Sequence, residues 1–316
     1  MKRPALAFAF LALAQIAAAQ TPATPNLPTF TLSPAAPEPQ GDAAYGAYQR
    51  GYFVTAFKEA MKRVEANGND AAAMTLLGQL YTEGSGAPRD LKAAAEWFRK
   101  AADLGDARAA FALGVAALEG RGMARDRKHA QAMFEKAAAA GHAEASYNLG
   151  VMAIEDNGAQ PDFAKAIAHF TRGADAGSAD AAYSLGVLQH QGKGAPRNDA
   201  EAIRRFRQAA ESDNVPGMVE YAIMLFNGEG AQKDETGAAR MFLKAAQRNN
   251  AVAQNRAARL LAAGRGVKQD MVEAMKWHLI ARAAGLNDSW LDSQLAGLTQ
   301  SQRTAVDEAI RRFNGG

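Results

Sequence analysis

The chain has 316 residues, 48% of them apolar and 22% charged, with a net charge of +3. That balance excludes a disordered chain, and with no clustered basic excess it argues against a nucleic-acid-binding face. The lack of cysteine excludes disulfides, thiolate metal sites and a cysteine nucleophile, so packing alone must hold the fold.

The first residues, MKRPALAFAFLALAQIAAAQ, place Lys2 and Arg3 ahead of a short apolar run, with a small-x-small site at Ala17-Ala18-Ala19. This pattern predicts a secretory signal peptide over 1–19, cut after Ala19. The run is short for a spanning helix. Its removal leaves a mature chain of about +1, periplasmic or secreted, with no stable membrane insertion. Residues 20–42 follow as a Pro-rich flexible linker. Six prolines within 21–40 bar regular helix and predict an extended, polyproline II-like tether. Residues 43–69 predict a helix pair with a shortened connection.

From 70 to 285 the sequence repeats every 36 residues, which is the signature of a solenoid. Gly84, Gly120, Gly192, Gly228 and Gly264 share one column, and Asp156 fills its gap. Ala94, Ala130, Ala166, Ala202, Ala238 and Ala274 form an unbroken one. Phe98, Phe134, Phe170, Phe206 and Phe242 follow four residues later, with His278 in the last place. Gly105, Gly141, Gly177 and Gly285 form another, completed by Asp213 and Asn249. Each repeat carries two amphipathic patterns. In the first repeat, Ala73, Leu77, Leu80 and Tyr81 make one stripe and Ala94, Phe98, Ala101 and Ala102 the other. A Gly-x-Gly beside basic residues, as in GSGAPRD (84–90), can cradle a phosphate. That chemistry requires a helix start, usually after a strand. These glycines follow helical patterns, and Asp and Asn replace glycine in its columns. Both facts assign the motif to helix termination. The aspartates at 90, 126, 162, 234 and 270 then predict N-caps for the second helices. Residues 286–316 predict closing helices. Trp290, Leu291, Leu295 and Leu298 are expected to cover the last repeat, and Val306, Ala309, Ile310 and Phe313 to form the apolar stripe of the final helix.

The stretch LGQLYTEGSGAPRDLKAAAEWFRKAADLG (77–105) resembles the Sel1-like repeat, a relative of the tetratricopeptide repeat. The likeness rests on Leu77-Gly78, Tyr81, Gly84-x-Gly86, Asp90, Ala94, Trp97-Phe98, Ala101-Ala102 and Gly105. It recurs six times. It implies an all-α fold, a right-handed α-solenoid of stacked antiparallel helix pairs, with 43–69 as a more tetratricopeptide-like capping repeat. Some proteins of similar layout regulate sensor kinases by holding their periplasmic domains. Some cysteine-rich members bind penicillins, and this chain lacks their cysteines.

No motif marks catalysis. HExxH, GxSxG, SxxK and Walker A are missing, and no two of the five histidines have zinc-helix spacing. Neither a cofactor nor a metal is expected. A binding surface is the better candidate, because the first helices of a solenoid usually line its concave face. One varying column there reads Leu76, Ala112, Asn148, Ser184, Glu220, Arg256. Seven residues on stand Glu83, Glu119, Glu155, Gln191, Asn227 and Ala263. Four residues before it stand Ala72, Arg108, Glu144, Asp180, Pro216 and Val252. The stripe is acidic and amide-rich in its middle, with Arg256 and Arg259 at its far end. Its polar members form a candidate groove for a partner protein or peptide; an ordinary solvated face is the competing explanation. The aromatic column Phe111, Tyr147, Tyr183 is expected to be core. The three arginines of RRFRQ (204–208) are expected on a solvated outer helix. The functional expectation is a non-enzymatic adaptor of the bacterial cell envelope, one that could regulate a signalling protein. A peptidoglycan-associated module is the alternative. A hydrolase or penicillin-binding activity comes third.

Overall fold

The computed structural model describes residues 42–155 and 160–315. The signal peptide, nearly all of the linker and Asp156 lie outside the described residues. Every regular element among the described residues is helical. The N-terminal pair is α1 (Ala43–Gln49) and α2 (Phe53–Ala66). Six pairs follow, each built from a first and a second helix. The first helices are α3 (Ala71–Glu83), α5 (Ala107–Glu119), α7 (Ala143–Ile154), α9 (Ala179–Gln191), α11 (Val215–Asn227) and α13 (Ala251–Ala263). The second helices are α4 (Leu91–Asp103), α6 (Arg127–Ala139), α8 (Phe163–Asp175), α10 (Asp199–Glu211), α12 (Glu235–Gln247) and α14 (Met271–Ala283). The chain closes with α15 (Ser289–Ala296) and α16 (Gln300–Asn314). Each helix packs on its sequence neighbours, so the fold is a solenoid of stacked helix pairs.

Local chemistry sets the boundaries. Gly84, Gly120, Gly192, Gly228 and Gly264 are left-handed C-caps of the first helices. After the second helices, Asp213 and Asn249 take positive φ where other repeats carry glycine. Side chains of Asp90, Asp126, Asp162, Asn198, Asp234 and Asp270 cap the second helices. The backbone N–H of each of these caps also donates to a first-helix carbonyl, as Asp90 does to Tyr81 and Asp234 to Leu225. One short turn thereby ties the two helices of a repeat.

Packing explains the remaining columns. Phe98, Phe134, Phe170, Phe206 and Phe242 are all buried, each worth roughly 2 kcal/mol of apolar transfer. The rings need room, and glycine supplies it. A Cβ on Gly150 would sit 2.4 Å from the Phe170 ring, and one on Gly114 would sit 2.7 Å from Phe134. The second glycine of the Gly-x-Gly motif makes the contact between repeats. A Cβ on Gly122 would lie 2.0 Å from the Leu91 carbonyl oxygen of the preceding repeat. Gly230 and Gly266 lie equally close to Asp199 and Glu235. This seat brings one turn down onto the start of the previous second helix.

The sixth repeat differs. His278 replaces phenylalanine and is completely buried, its Nε2 2.8 Å from Asp292 of α15. Trp277 packs edge-on against Phe313 of α16. The column that elsewhere packs a repeat internally here holds the closing helices. Leu291, Leu298, Val306 and Ala309 are buried at this end. Trp290 departs from the expected cover: it is 39% exposed, because it points away from the core that its neighbour Leu291 enters.

Candidate binding groove

Two pairs of consecutive first helices touch one another directly, α3 with α5 and α7 with α9, whereas no two consecutive second helices meet to that extent among the described residues. The first helices are therefore on the inner side of the stack. A column of N-caps holds this side together. Asp70, Asp106, His142, Ser178, Asn214 and Asn250 each accept the backbone N–H three residues on. Two of them also reach the preceding repeat. Ser178 Oγ donates to Glu144 at 3.2 Å, and Asn214 Nδ2 donates to Asp180 at 2.7 Å. His142 stacks on Phe111 at 4.4 Å, and burial holds its imidazole below the usual pKa. Sequence reasoning missed this column because the residue type changes along it.

The candidate residues divide by position. Ser184 is corrected: it is only 6% exposed and belongs to the interior of α9, where the first-helix surface turns toward its neighbours. Glu83 accepts from Tyr48 Oη and Gln79, which joins the N-terminal pair to the first repeat. Glu119 is ion-paired with Arg121, and Glu155 with Arg127. Asn148 donates to the Glu144 carbonyl of its own helix, and Asn227 to Glu229. Gln191 has a buried side-chain oxygen without a hydrogen-bond donor among the described residues.

Glu144, Asp180 and Glu220 form the middle of the groove. Burial is the first cause that raises the pKa of each. None pairs with a cation among the described residues. Glu144 and Asp180 retain their N-cap donors, and the Glu220 side chain has no hydrogen bond among the described residues. Tyr147 and Tyr183 pack their rings on Phe170 and Phe206 at 5.8 and 5.9 Å. Burial, then the charges of Asp180, Glu144 and Glu155, push the Tyr147 phenol up to about 12. Burial and Glu220 raise Tyr183 as well. These tyrosines belong to the core by their rings and to the groove by their hydroxyls.

Charge reverses one repeat further on. Arg256 occupies the column of Glu220, is exposed, and makes no ion pair among the described residues. Arg259 is held at 2.5 and 2.8 Å by Asp288, the N-cap of α15. Burial alone would raise the Asp288 carboxyl, but hydrogen bonds from Arg259, Asn255 and the Leu291 backbone bring it down to about 2.

The arrangement offers shape and charge for binding. Among the described residues, no group of three or more His, Asp and Glu side chains could hold a metal ion, and no helix is long and apolar enough to cross a membrane.

Comparison with known proteins agrees with the repeat geometry. The Sel1 repeat family matches residues 71–106, 107–142, 143–178, 179–214, 215–250 and 251–286. No curated protein matches the chain. Among solved structures, a Sel1 repeat protein from Oxalobacter formigenes superposes with a TM-score of 0.64 at 24% identity, over 75% of this chain and 94% of that one. The protein c5321, a protective antigen of uropathogenic Escherichia coli displaying an SLR fold, gives 0.50 at 22% identity, over 85% of this chain and 66% of that one. At these identities the likeness concerns the fold. With six consecutive matches and a helix pair under each, this chain is a repeat scaffold that belongs to the Sel1 repeat family.

Proposed function

We propose that this chain is a non-catalytic adaptor of the bacterial cell envelope, holding a segment of a partner protein on the face lined by its first helices. One observation carries the reading. Glu220 and Arg256 stand in the same column of adjacent repeats, unlike in charge, and neither forms an ion pair among the described residues, the one ionisable group of opposite sign acting on Glu220 being His190, which is itself bonded to Asp199. An idle surface of a stable scaffold has no reason to keep a half-buried carboxylate uncompensated. A peptide crossing this face would meet acceptors at Glu144, Asp180 and Glu220, then a donor at Arg256. Basic side chains of the partner fit the first group. The signal-like leader supports an envelope location, and a signalling protein regulated by capture is one partner class that suits a groove of this length.

A crosslinking pull-down from envelope extract tests this, with the mature chain 20–316 as bait beside its Glu144→Gln, Glu220→Gln double variant. A protein recovered by the wild type and lost with the variant supports the adaptor. Recovery by both places the partner elsewhere on the scaffold. Co-sedimentation with purified sacculi, and no protein recovered, favours the peptidoglycan-associated alternative.

A further inference from the structure

The groove ends in a pocket. Beside Arg256, residues of α11, α12, α13, the turn after α13 and α15 line a half-open pocket of about 440 Å³. That is within the range of sites that enclose a small ligand, ~300–1,000 Å³. Its walls combine three guanidinium groups, Arg256, Arg259 and Arg265, with Phe226, Leu260 and Trp290.

The three arginines are not equivalent. Arg265 is ion-paired with Glu235 and lies 4.5 Å from the centre of the Phe226 ring. Arg259 is fixed by Asp288 and lies 5.5 Å from the Trp290 ring. Arg259 is matched by Asp288, Arg265 shares Glu235 with Lys233, and both are held against an aromatic face, so they act as walls. Arg256 alone of the three has no carboxylate among the described residues. The pocket therefore presents one guanidinium open to a carboxylate beside apolar surface. Trp290 is a large apolar side chain left 39% exposed at its rim, and Val252 is exposed one turn before Arg256.

Position narrows the occupant. α15 follows α14 where a seventh first helix would begin, and its N-cap Asp288 is bonded to Asn255 and Arg259 of α13. The first-helix face stops there, with Trp290 standing at the end of it. A chain lying along the groove can finish at this point.

We propose that this pocket takes the carboxyl-terminal end of the partner polypeptide, its terminal carboxylate on Arg256 and its last, apolar side chain between Phe226, Leu260 and Trp290. Guanidinium and carboxylate match in planar geometry, and the neighbouring aromatic faces add apolar contact. The inference rests on the scaffold reading, since it names the end of the segment that the groove would hold. It also sets direction: the basic part of the segment would lie over Glu144 to Glu220, upstream of its carboxyl end.

The test is fluorescence anisotropy on the mature chain 20–316 with three labelled hexapeptides. One is Gly-Ser-Gly-Ala-Ala-Phe with a free carboxyl terminus. The second is its carboxamide. The third is a carboxamide with an internal Asp before Phe. The free acid is expected to bind about tenfold or more tightly than its carboxamide, the effect of one hydrogen-bonded charge. Arg256→Gln should abolish that difference, and Trp290→Ala should weaken the free acid. Arg204→Gln on the outer helix α10 should change neither value. Arg256 is exposed and has no ion pair or hydrogen bond to lose among the described residues, so its variant should keep the wild-type melting midpoint.

Equal binding of acid and amide overturns the proposal. So does preference for the internal Asp, which would make the pocket a side-chain site, and so does no binding of any peptide at millimolar concentration. A difference that survives Arg256→Gln overturns the assignment of the carboxylate. Peptide failure with a successful envelope pull-down sinks the pocket alone. Peptide binding with a failed pull-down keeps the pocket and removes the envelope adaptor.

Discussion

The outer face and the middle of the inner face treat their carboxylates differently. On the outer, second-helix face, several exposed acids are paired: Asp175 with Arg205, Glu211 with Arg207, and Asp213 with both Lys244 and Arg248. The arginines of RRFRQ are all engaged there, Arg204 with Glu201 among them. In the middle of the inner face, half-buried Glu144 and Glu220 and the more exposed Asp180 are raised in pKa and left without ion pairs among the described residues. Outer pairs of this kind are worth roughly 0–1 kcal/mol and serve solubility as much as stability. Uncompensated inner charge works against folding. The contrast separates a surface that is finished by the chain itself from one that is left for something else to complete.

The layer between the two faces should give the largest effect. Phe170→Ala, at a ring that is almost fully buried, is expected to cost about 3–5 kcal/mol in chemical denaturation. An unmoved midpoint would mean that the second-helix aromatics do not form the core that both faces share.

Next in size is the clamp at the groove's end. The Asp288 pKa, about 2, lies below the usual carboxylate value, so its contribution is present above that value and is lost as pH falls through the folded pKa. The shift corresponds to roughly 2 kcal/mol at most, discounted because Arg259 is half exposed. The protection of α15 amides, with exchange corrected for its intrinsic pH dependence, should therefore be steady at and above neutral pH and fall, as opening accelerates, between about pH 4 and pH 2. The variant Asp288→Asn should flatten that profile. Acceleration unchanged in the variant would assign the effect to another group.

The smallest effect bears most directly on the two faces. For Glu144 and Glu220 the folded pKa is raised, so the acid form is favoured and stability is lost as pH rises through it. The Glu144→Gln, Glu220→Gln variant should melt slightly higher than wild type at pH 7 and lose that advantage as the pH falls below the ordinary carboxylate range. Asp175→Asn on the outer face should gain nothing at pH 7, since it removes a paired charge. If both variants shift alike, the faces are electrostatically equivalent and the groove reading loses its support.

The fold was legible because its causes recur. A ring every 36 residues, a glycine where a helix must end, and an aspartate where the next begins leave a periodic trace in the sequence. The groove was only half legible. Periodicity names the face on which Asn148, Ser184 and Glu220 stand. It does not tell that Ser184 is buried while Glu220 remains half open, because that depends on the fit of neighbouring repeats. The first-helix N-caps escaped notice because Asp, His, Ser and Asn all perform the same task. The pocket escaped because it forms where the period breaks. Asp288 meets Arg259 from a helix that belongs to no repeat, and Trp290 looks like core by composition but stands at a rim.

The seat between repeats has a consequence for descent. Gly122, Gly230 and Gly266 each dock on backbone atoms of the repeat before, not on a particular side chain. Such a joint accepts any copy of its neighbour. Duplication or loss of an internal repeat would lengthen or shorten the solenoid by one rung without rebuilding either end. The C-terminal end is different, since His278, Trp277 and Asp288 tie the last repeat to unique partners. Lineages of this chain should therefore vary in rung number ahead of residue 250 and keep the pocket at a constant distance from α15 and α16.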